Sequence, residues 1–228
     1  MEYDLYIGDA MFSSWSLRGW LMLERFGIPY TPHWVGLYSG TMADDLAPLA
    51  PARLVPALRM PDGTVIGESL AIAETLADLH PDAGFWPADP ALRATARWLC
   101  AEMACGFSAL RADCPMQLLH VFEGFEPSAD VLADLNRIET LWAHARTASG
   151  HVTGWLFGEF SLADVFYTPV AARIIGYDLP VSTAARVYCT ALLSDSAFLE
   201  WRRLAQQVAY DPVPYALDLP TRSWPDPA

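Results

Sequence analysis

The sequence predicts an α/β domain followed by an all-helical domain. Three observations carry this. Strand-type apolar alternation is confined to the stretch before residue 67. A turn triplet, Pro61-Asp62-Gly63, separates two short β-type runs. After the linker the strand signal fades, and successive stretches up to about residue 210 carry helical spacing.

Each element follows in order. Tyr3 to Ile7 alternates and reads as a strand. Leu17, Trp20, Leu21 and Phe26 mark a helix that Gly27 stops. Pro29 to Val35 is a second strand, and its Pro32 assigns it to a sheet edge, because proline has no N–H to donate to a ladder. Residues 39–53 read as a loop with one helical turn. Ala57–Met60 and Val65–Ile66 form a hairpin. Ser69 opens a helix through Leu79 that His80-Pro81 ends. The order β-α-β, then β-β-α, is the thioredoxin-like arrangement.

Pro81 to Pro90 reads as a linker whose aromatics, Phe85 and Trp86, pin it between domains. Asp89-Pro90 is a helix start, an N-cap followed by proline at the first helical position, and helical spacing then holds to Pro115. Further helices are predicted over 128–148, from Ser161 to Gly176, over 182–193 and over 195–209. The domains are therefore 1–80, a linker 81–88, a helical domain 89–210 and an extended, proline-rich tail 211–228.

Composition narrows the function. The formal net charge of −13 opposes nucleic acid and anionic membrane surfaces as partners. All 14 basic residues are arginine, which excludes a Walker-type phosphate loop, a pyridoxal Schiff base and a lysine nucleophile. No apolar run reaches the roughly 18 residues of a spanning helix, and the acidic start Met1-Glu2-Tyr3-Asp4 lacks a signal-peptide pattern. A cytoplasmic protein is expected. The four cysteines, at 100, 105, 114 and 189, form no CxxC pair. Positions 100 and 105 point roughly 140° apart on a helix, so buried free thiols are expected and no metal. The five histidines show no ligand spacing either.

Three short segments remain. Ser13-Ser14-Trp15-Ser16-Leu17-Arg18 opens the first helix directly after a strand. A serine there caps the helix in any case, but its hydroxyl also donates to an anion that the helix dipole favours. Leu54-Val55-Pro56 puts a proline at the mouth of a strand, and Gly67-Glu68-Ser69 ends a strand and opens a helix. Ser161-x-x-Asp164 follows Gly154-Trp155-Leu156-Phe157-Gly158 and reads as a capping box with a folding role.

Taken together, these segments resemble the cytosolic glutathione S-transferases of the serine type. They are similar to the zeta class, and closer to a bacterial group that carries Ser-Ser-Trp-Ser-Leu-Arg. Zeta enzymes usually have cysteine where this chain has Trp15. The resemblance covers about 1–210 and implies a homodimer that uses glutathione as co-substrate and no metal. It implies that Ser13, with Ser14 second, holds the glutathione thiolate. It implies a cis Val55–Pro56 bond, with Val55 pairing like an added strand with the cysteinyl backbone of glutathione. Glu68 and Ser69 then clamp the γ-glutamyl end. The family often places a cation just before that valine, where this chain has Leu54. Arg53, His33 and Trp34 are the candidates for the glycyl carboxylate. Trp15, Met103 and Phe107 are candidates for the electrophile pocket, the latter two equally for the core. The implied activity is detoxifying conjugation to a small hydrophobic electrophile, with maleylacetoacetate-type isomerisation or non-catalytic glutathione binding as alternatives. A thiol-disulfide oxidoreductase would need a cysteine near residue 13, and none is there.

Overall fold

The computed structural model describes residues 2–207, 209 and 213–225. A four-stranded sheet in the order β2-β1-β3-β4 lies at its N-terminal end. β1 (Tyr3–Ile7) runs parallel to β2 (Tyr30–Trp34) and antiparallel to β3 (Ala57–Arg59), which turns into β4 (Val65–Ile66). Its alternation has the predicted consequence, since Tyr3, Leu5 and Ile7 are buried. β2 is the edge strand, and Pro32 sits there opposite Leu5. Across the other face, Asp4 accepts from Arg59 Nη2 at 2.8 Å and lies 2.7 Å from His33 Nε2. These bonds, to His33 first, hold its carboxyl below the usual range.

Two helices, α1 (Ser14–Glu24) and α3 (Ser69–Leu79), pack together beside β1 and β3. A short helix, α2 (Met42–Leu46), and one 3-10 turn, Ala47–Leu49, occupy the stretch read as a loop with one turn. There Leu46 and Leu49 meet Val35 and Ala57 in a small separate core.

The remainder is helical: α4 (Pro90–Cys105), α5 (Ser108–Asp113), α6 (Ala129–Ser149), α7 (Leu162–Gly176), α8 (Thr183–Leu193) and α9 (Ser196–Ala205). Side-chain N-caps at Asp89, Ser128, Ser182 and Asp195 start α4, α6, α8 and α9. α7 is buried almost all round and packs against α1, α4 and α8, as an apolar helix without a polar face must. One main core runs from the sheet through α7 to α9. Between the two regions, Trp20 packs on Trp201 at 5.3 Å, and Phe26 on the linker's Phe85 at 4.3 Å. Fully burying Leu17 and Leu21 of α1 contributes roughly 1.5–3 kcal/mol each.

Three features differ from the sequence reading. Helical spacing predicts one helix to Pro115, but the chain breaks at Gly106 and restarts at Phe107, whose φ is +59°. Arg111 folds back over the break and donates to the carbonyls of Gly106, Met103 and Ala104, capping α4. Secondly, the helical region carries a two-stranded ribbon, β5 (His120–Phe122) with β6 (Thr221–Ser223). The expected tail is thus docked, and Trp224 is buried at its end; residues 211, 212 and 226–228 lie outside the described residues. Thirdly, all four cysteines are free, but Cys105 is exposed while the other three are buried. Burial pushes the Cys114 thiol up to about 12.

The capping box at α7 is present as read. Asp164 Oδ2 accepts from Ser161 N–H at 2.9 Å and from Ser161 Oγ at 3.1 Å. It does more than cap, because Oδ1 also accepts from Tyr188 Oη at 2.8 Å and from Leu156 N–H at 3.3 Å. Asp164→Ala strands these buried donors at once, so a loss of about 3 kcal/mol or more is expected in urea unfolding. An unchanged midpoint would remove Asp164 from the fold's supports.

Candidate functional site

The site is built where α1 and α3 begin. Ser13 is the N-cap of α1, with φ −89° and ψ 96°. Its Oγ accepts from Ser16 N–H at 3.2 Å and donates to Ser16 Oγ at 2.8 Å. Ser16 Oγ accepts in turn from Gly8 N–H at 2.8 Å, tying the end of β1 to the first turn of α1. The next residue, Ser14, is equally buried, and its Oγ accepts from Arg173 Nη2 at 3.3 Å.

Three arginines converge here. Arg18 is wholly buried; its Nε donates to the Phe166 carbonyl on α7 at 3.2 Å, and its Nη1 has no hydrogen-bond partner. The Trp15 ring lies between Arg18 and Arg111, 4.5 Å from one guanidinium and 4.7 Å from the other. Arg173 donates to the carbonyls of Cys114 and Pro169 as well as to Ser14. Among the described residues none of the three is bonded to a carboxylate. Burial, then mutual repulsion, drives the Arg18 guanidinium well below its usual range and lowers Arg173 to about 10.

The second half of the site lies across the hairpin. The Val55–Pro56 peptide is cis, and Pro56 is buried against α1. A Cβ on Gly19 would stand 2.5 Å from Pro56 Cβ, so glycine is what lets α1 approach this turn. At the start of α3, Glu68 is exposed and adopts φ +64°, a conformation costly for any residue but glycine. Ser69, the first residue of α3, is 2% exposed, and its hydroxyl has no hydrogen-bond partner. An unpaired buried hydroxyl beside free helix N–H groups is a ready set of donors for an anion. A cleft of about 340 Å³ lies beside Glu68, lined by Pro51 to Leu54, Val65, Gly67 and Glu68.

The structure thus places Arg53, Leu54 and Glu68 at one cleft, with Val55 and Ser69 their chain neighbours and Ser69 buried at the start of α3. Ser13 and Ser14 sit at the start of the neighbouring helix. Of the three carboxylate-binding candidates, Arg53 lines the cleft, whereas His33 is paired with Asp4 and stacked on Tyr6. Trp34 packs against Trp201. Met103 and Phe107 are buried in the main core, and the Met103 carbonyl is joined to Trp15 through Arg111. Sequence reasoning missed Arg173 and treated Arg18 and Arg111 only as parts of motif stretches that resemble the bacterial group. Arg173 did carry a signal, a lone charge inside the apolar run Val170-Ala171-Ala172-Arg173-Ile174-Ile175.

Gly19→Ala is expected to lower stability by about 1–3 kcal/mol, since the rigid proline ring cannot move aside cheaply. Thermal or urea unfolding measures it. A neutral substitution would mean that α1 and the cis turn are not in tight contact.

Comparison with known proteins bears on the fold and the family. The family described as "Glutathione S-transferase, N-terminal domain" matches residues 12–79. A probable maleylacetoacetate isomerase of Caenorhabditis elegans is 38% identical over 107 residues, 47% of this chain and 49% of that protein. The match thus spans about half the length of that relative. Maleylacetoacetate isomerase of Rattus norvegicus is 30% identical over 179 residues, 74% of this chain and 76% of its own length. Among solved structures, a glutathione transferase homolog from Burkholderia gl BGR1 with bound glutathione superposes with a TM-score of 0.61. It is 20% identical, and the match covers 92% of this chain and 100% of that one. With a thioredoxin-like sheet, a helical second region and these relatives, the chain belongs to the glutathione S-transferase family.

Proposed function

We propose that this protein is an enzyme that binds glutathione and conjugates its thiolate to a small hydrophobic electrophile. One observation carries the reading: the buried, unpaired Ser69 hydroxyl at the start of α3, next to Glu68 held at φ +64°. In this reading Ser69 and the first N–H groups of α3 take the γ-glutamyl carboxylate, and Glu68 takes the ammonium group. The Val55 backbone pairs with the cysteinyl residue as an added strand, and Leu54 and Pro56 shape that edge. Arg53 faces the glycyl carboxylate.

At the other end a serine hydroxyl of the Ser13-Ser14 pair donates to the sulfur at the N-terminus of α1. A free thiol ionises near about 8.5, so the donor and the helix dipole must lower it for attack near neutral pH. The thiol proton leaves to water, sulfur forms a bond to the electrophilic carbon, and a leaving group departs with its electron pair. Orientation and charge stabilisation supply the catalysis, and this chemistry calls for no metal. Trp15, Met103 and Phe107 form the wall for the electrophile. The active form is a homodimer acting in the cytoplasm, a setting in which free thiols persist.

Glutathione-dependent isomerisation is the second reading, favoured by the rat isomerase that aligns over 74% of the chain. Trp15 argues against it, because the zeta pattern has cysteine there. Side-by-side assays with aryl halides and with a cis-dienone separate the two, since only conjugation consumes glutathione.

Calorimetry is expected to give glutathione a micromolar to millimolar Kd, roughly −8 to −4 kcal/mol. Glu68→Ala should weaken binding by about 1.5–3 kcal/mol. Unchanged affinity in both Glu68→Ala and Ser69→Ala would sink the clamp. Sedimentation at micromolar concentration should report twice the 25.2 kDa chain mass. A monomer at all concentrations would refute the dimer and leave the glutathione site standing.

A further inference from the structure

Ser13 and Ser14 have the same burial, each 7% exposed, yet their hydroxyl protons are placed differently. The Ser13 proton is committed to Ser16 Oγ at 2.8 Å, within a network that also caps α1. Using it for a ligand breaks a buried hydrogen bond, at a cost that Ser14 does not meet. Ser14 Oγ instead accepts from Arg173 Nη2 at 3.3 Å. A hydroxyl that accepts from a cation keeps its own O–H available, and polarisation by that cation makes it a stronger donor.

Arg173 is built to do this. It is 5% exposed, and its other nitrogens are held by the Cys114 carbonyl at 2.9 Å and the Pro169 carbonyl at 3.1 Å. The groups facing it are Arg111 on α5, Cys114, Tyr177 just past the end of α7 and Tyr215 of the tail. Arg18 of α1 also lies within electrostatic range. None is a carboxylate, so no partner within this set neutralises the guanidinium. With its pKa at about 10, Arg173 stays charged near neutral pH.

We propose that Arg173, reaching from the helical region, is a positioning residue for the thiolate: it aligns and polarises Ser14, and Ser14 donates to the glutathione sulfur. This rests on the glutathione reading above and departs from the role that resemblance assigns to Ser13. Ionisation sends the thiol proton to water. Ser14 shares its proton with the sulfur without losing it, and Arg173 remains protonated throughout.

The test is ultraviolet titration of the thiolate in the binary complex with glutathione, without electrophile, so that contacts of Arg173 with a second substrate play no part. Ser14→Ala is expected to raise the titration by roughly one pH unit, about tenfold in thiolate fraction. Arg173→Gln should move it in the same direction, and Arg173→Lys should restore most of the loss. The shift in the Ser14→Ala, Arg173→Gln double variant should fall short of the sum of the two, as for coupled residues. Ser13→Ala should shift it less than Ser14→Ala. A shift in Ser13→Ala with none in Ser14→Ala overturns the proposal, and so does full additivity in the double variant. Should Arg173→Gln fail to fold, the two serine variants decide alone. Calorimetry on the same samples keeps the two readings apart. Absence of glutathione binding by the unmodified chain removes the parent reading. Binding with a thiol titration indifferent to Ser14 removes only this inference.

Discussion

The burial of Arg18 against α7 is the constraint on which the site depends. A guanidinium with no exposed surface is costly, and bonded donors and stacked rings offset part of that cost, although Arg18 Nη1 has no hydrogen-bond partner. Here the Nε takes the Phe166 carbonyl, and the Trp15 and Phe166 rings lie over the charge at 4.5 and 5.3 Å. That set of contacts joins the first helix of the sheet domain to the central helix of the second region. It fixes the face of α1 that meets α7, and so brings the Ser14 hydroxyl to Arg173. A different face of the helix, about 100° round from Arg18, carries Gly19, whose missing side chain admits Pro56. The two ends of the proposed glutathione site are therefore positioned from opposite sides of one helix.

Charge is distributed against the average. The chain carries −13 overall, yet the three arginines around Trp15 and Ser14 stand without a bonded carboxylate among the described residues. Exposed acids are screened within about a Debye length, whereas a buried cation acts at low dielectric on whatever binds beside it. The acidic exterior opposes polyanions, and the interior favours one small anion at one place. A thiolate at the start of α1 fits that field, and the helix dipole adds to it.

The residues of the proposed site were named from spacing and from the family resemblance. The serine pair, Val55–Pro56 and Glu68–Ser69 were named from the chain, and the structure sets them around one hairpin and two helix starts. The cap role of Ser13 was legible too, because a side chain accepting from the N–H three residues on needs only local geometry. The role of Arg111 was not legible. Its capping of α4 depends on the break at Gly106, and continuous apolar spacing from Leu92 to Leu110 hides that break. The docking of the tail was equally hidden, since β5 and β6 are three residues each and carry no periodicity of their own.

What the sequence by itself determined is the order and kind of the main elements, apart from the break at Gly106 and the β5–β6 ribbon, together with several caps and the hairpin. These rest on contacts between residues a few positions apart, for which spacing and residue type are sufficient. Only the tertiary structure decided which side chains share the site. Arg173 lies 159 residues from Ser14, and Arg18 lies 148 from Phe166. Such pairs are set by which buried faces pack together, and a buried charge goes where that packing leaves it a carbonyl, a ring or a hydroxyl. No local pattern records that outcome, because the free energy that selects it belongs to the whole interface between α1 and α7.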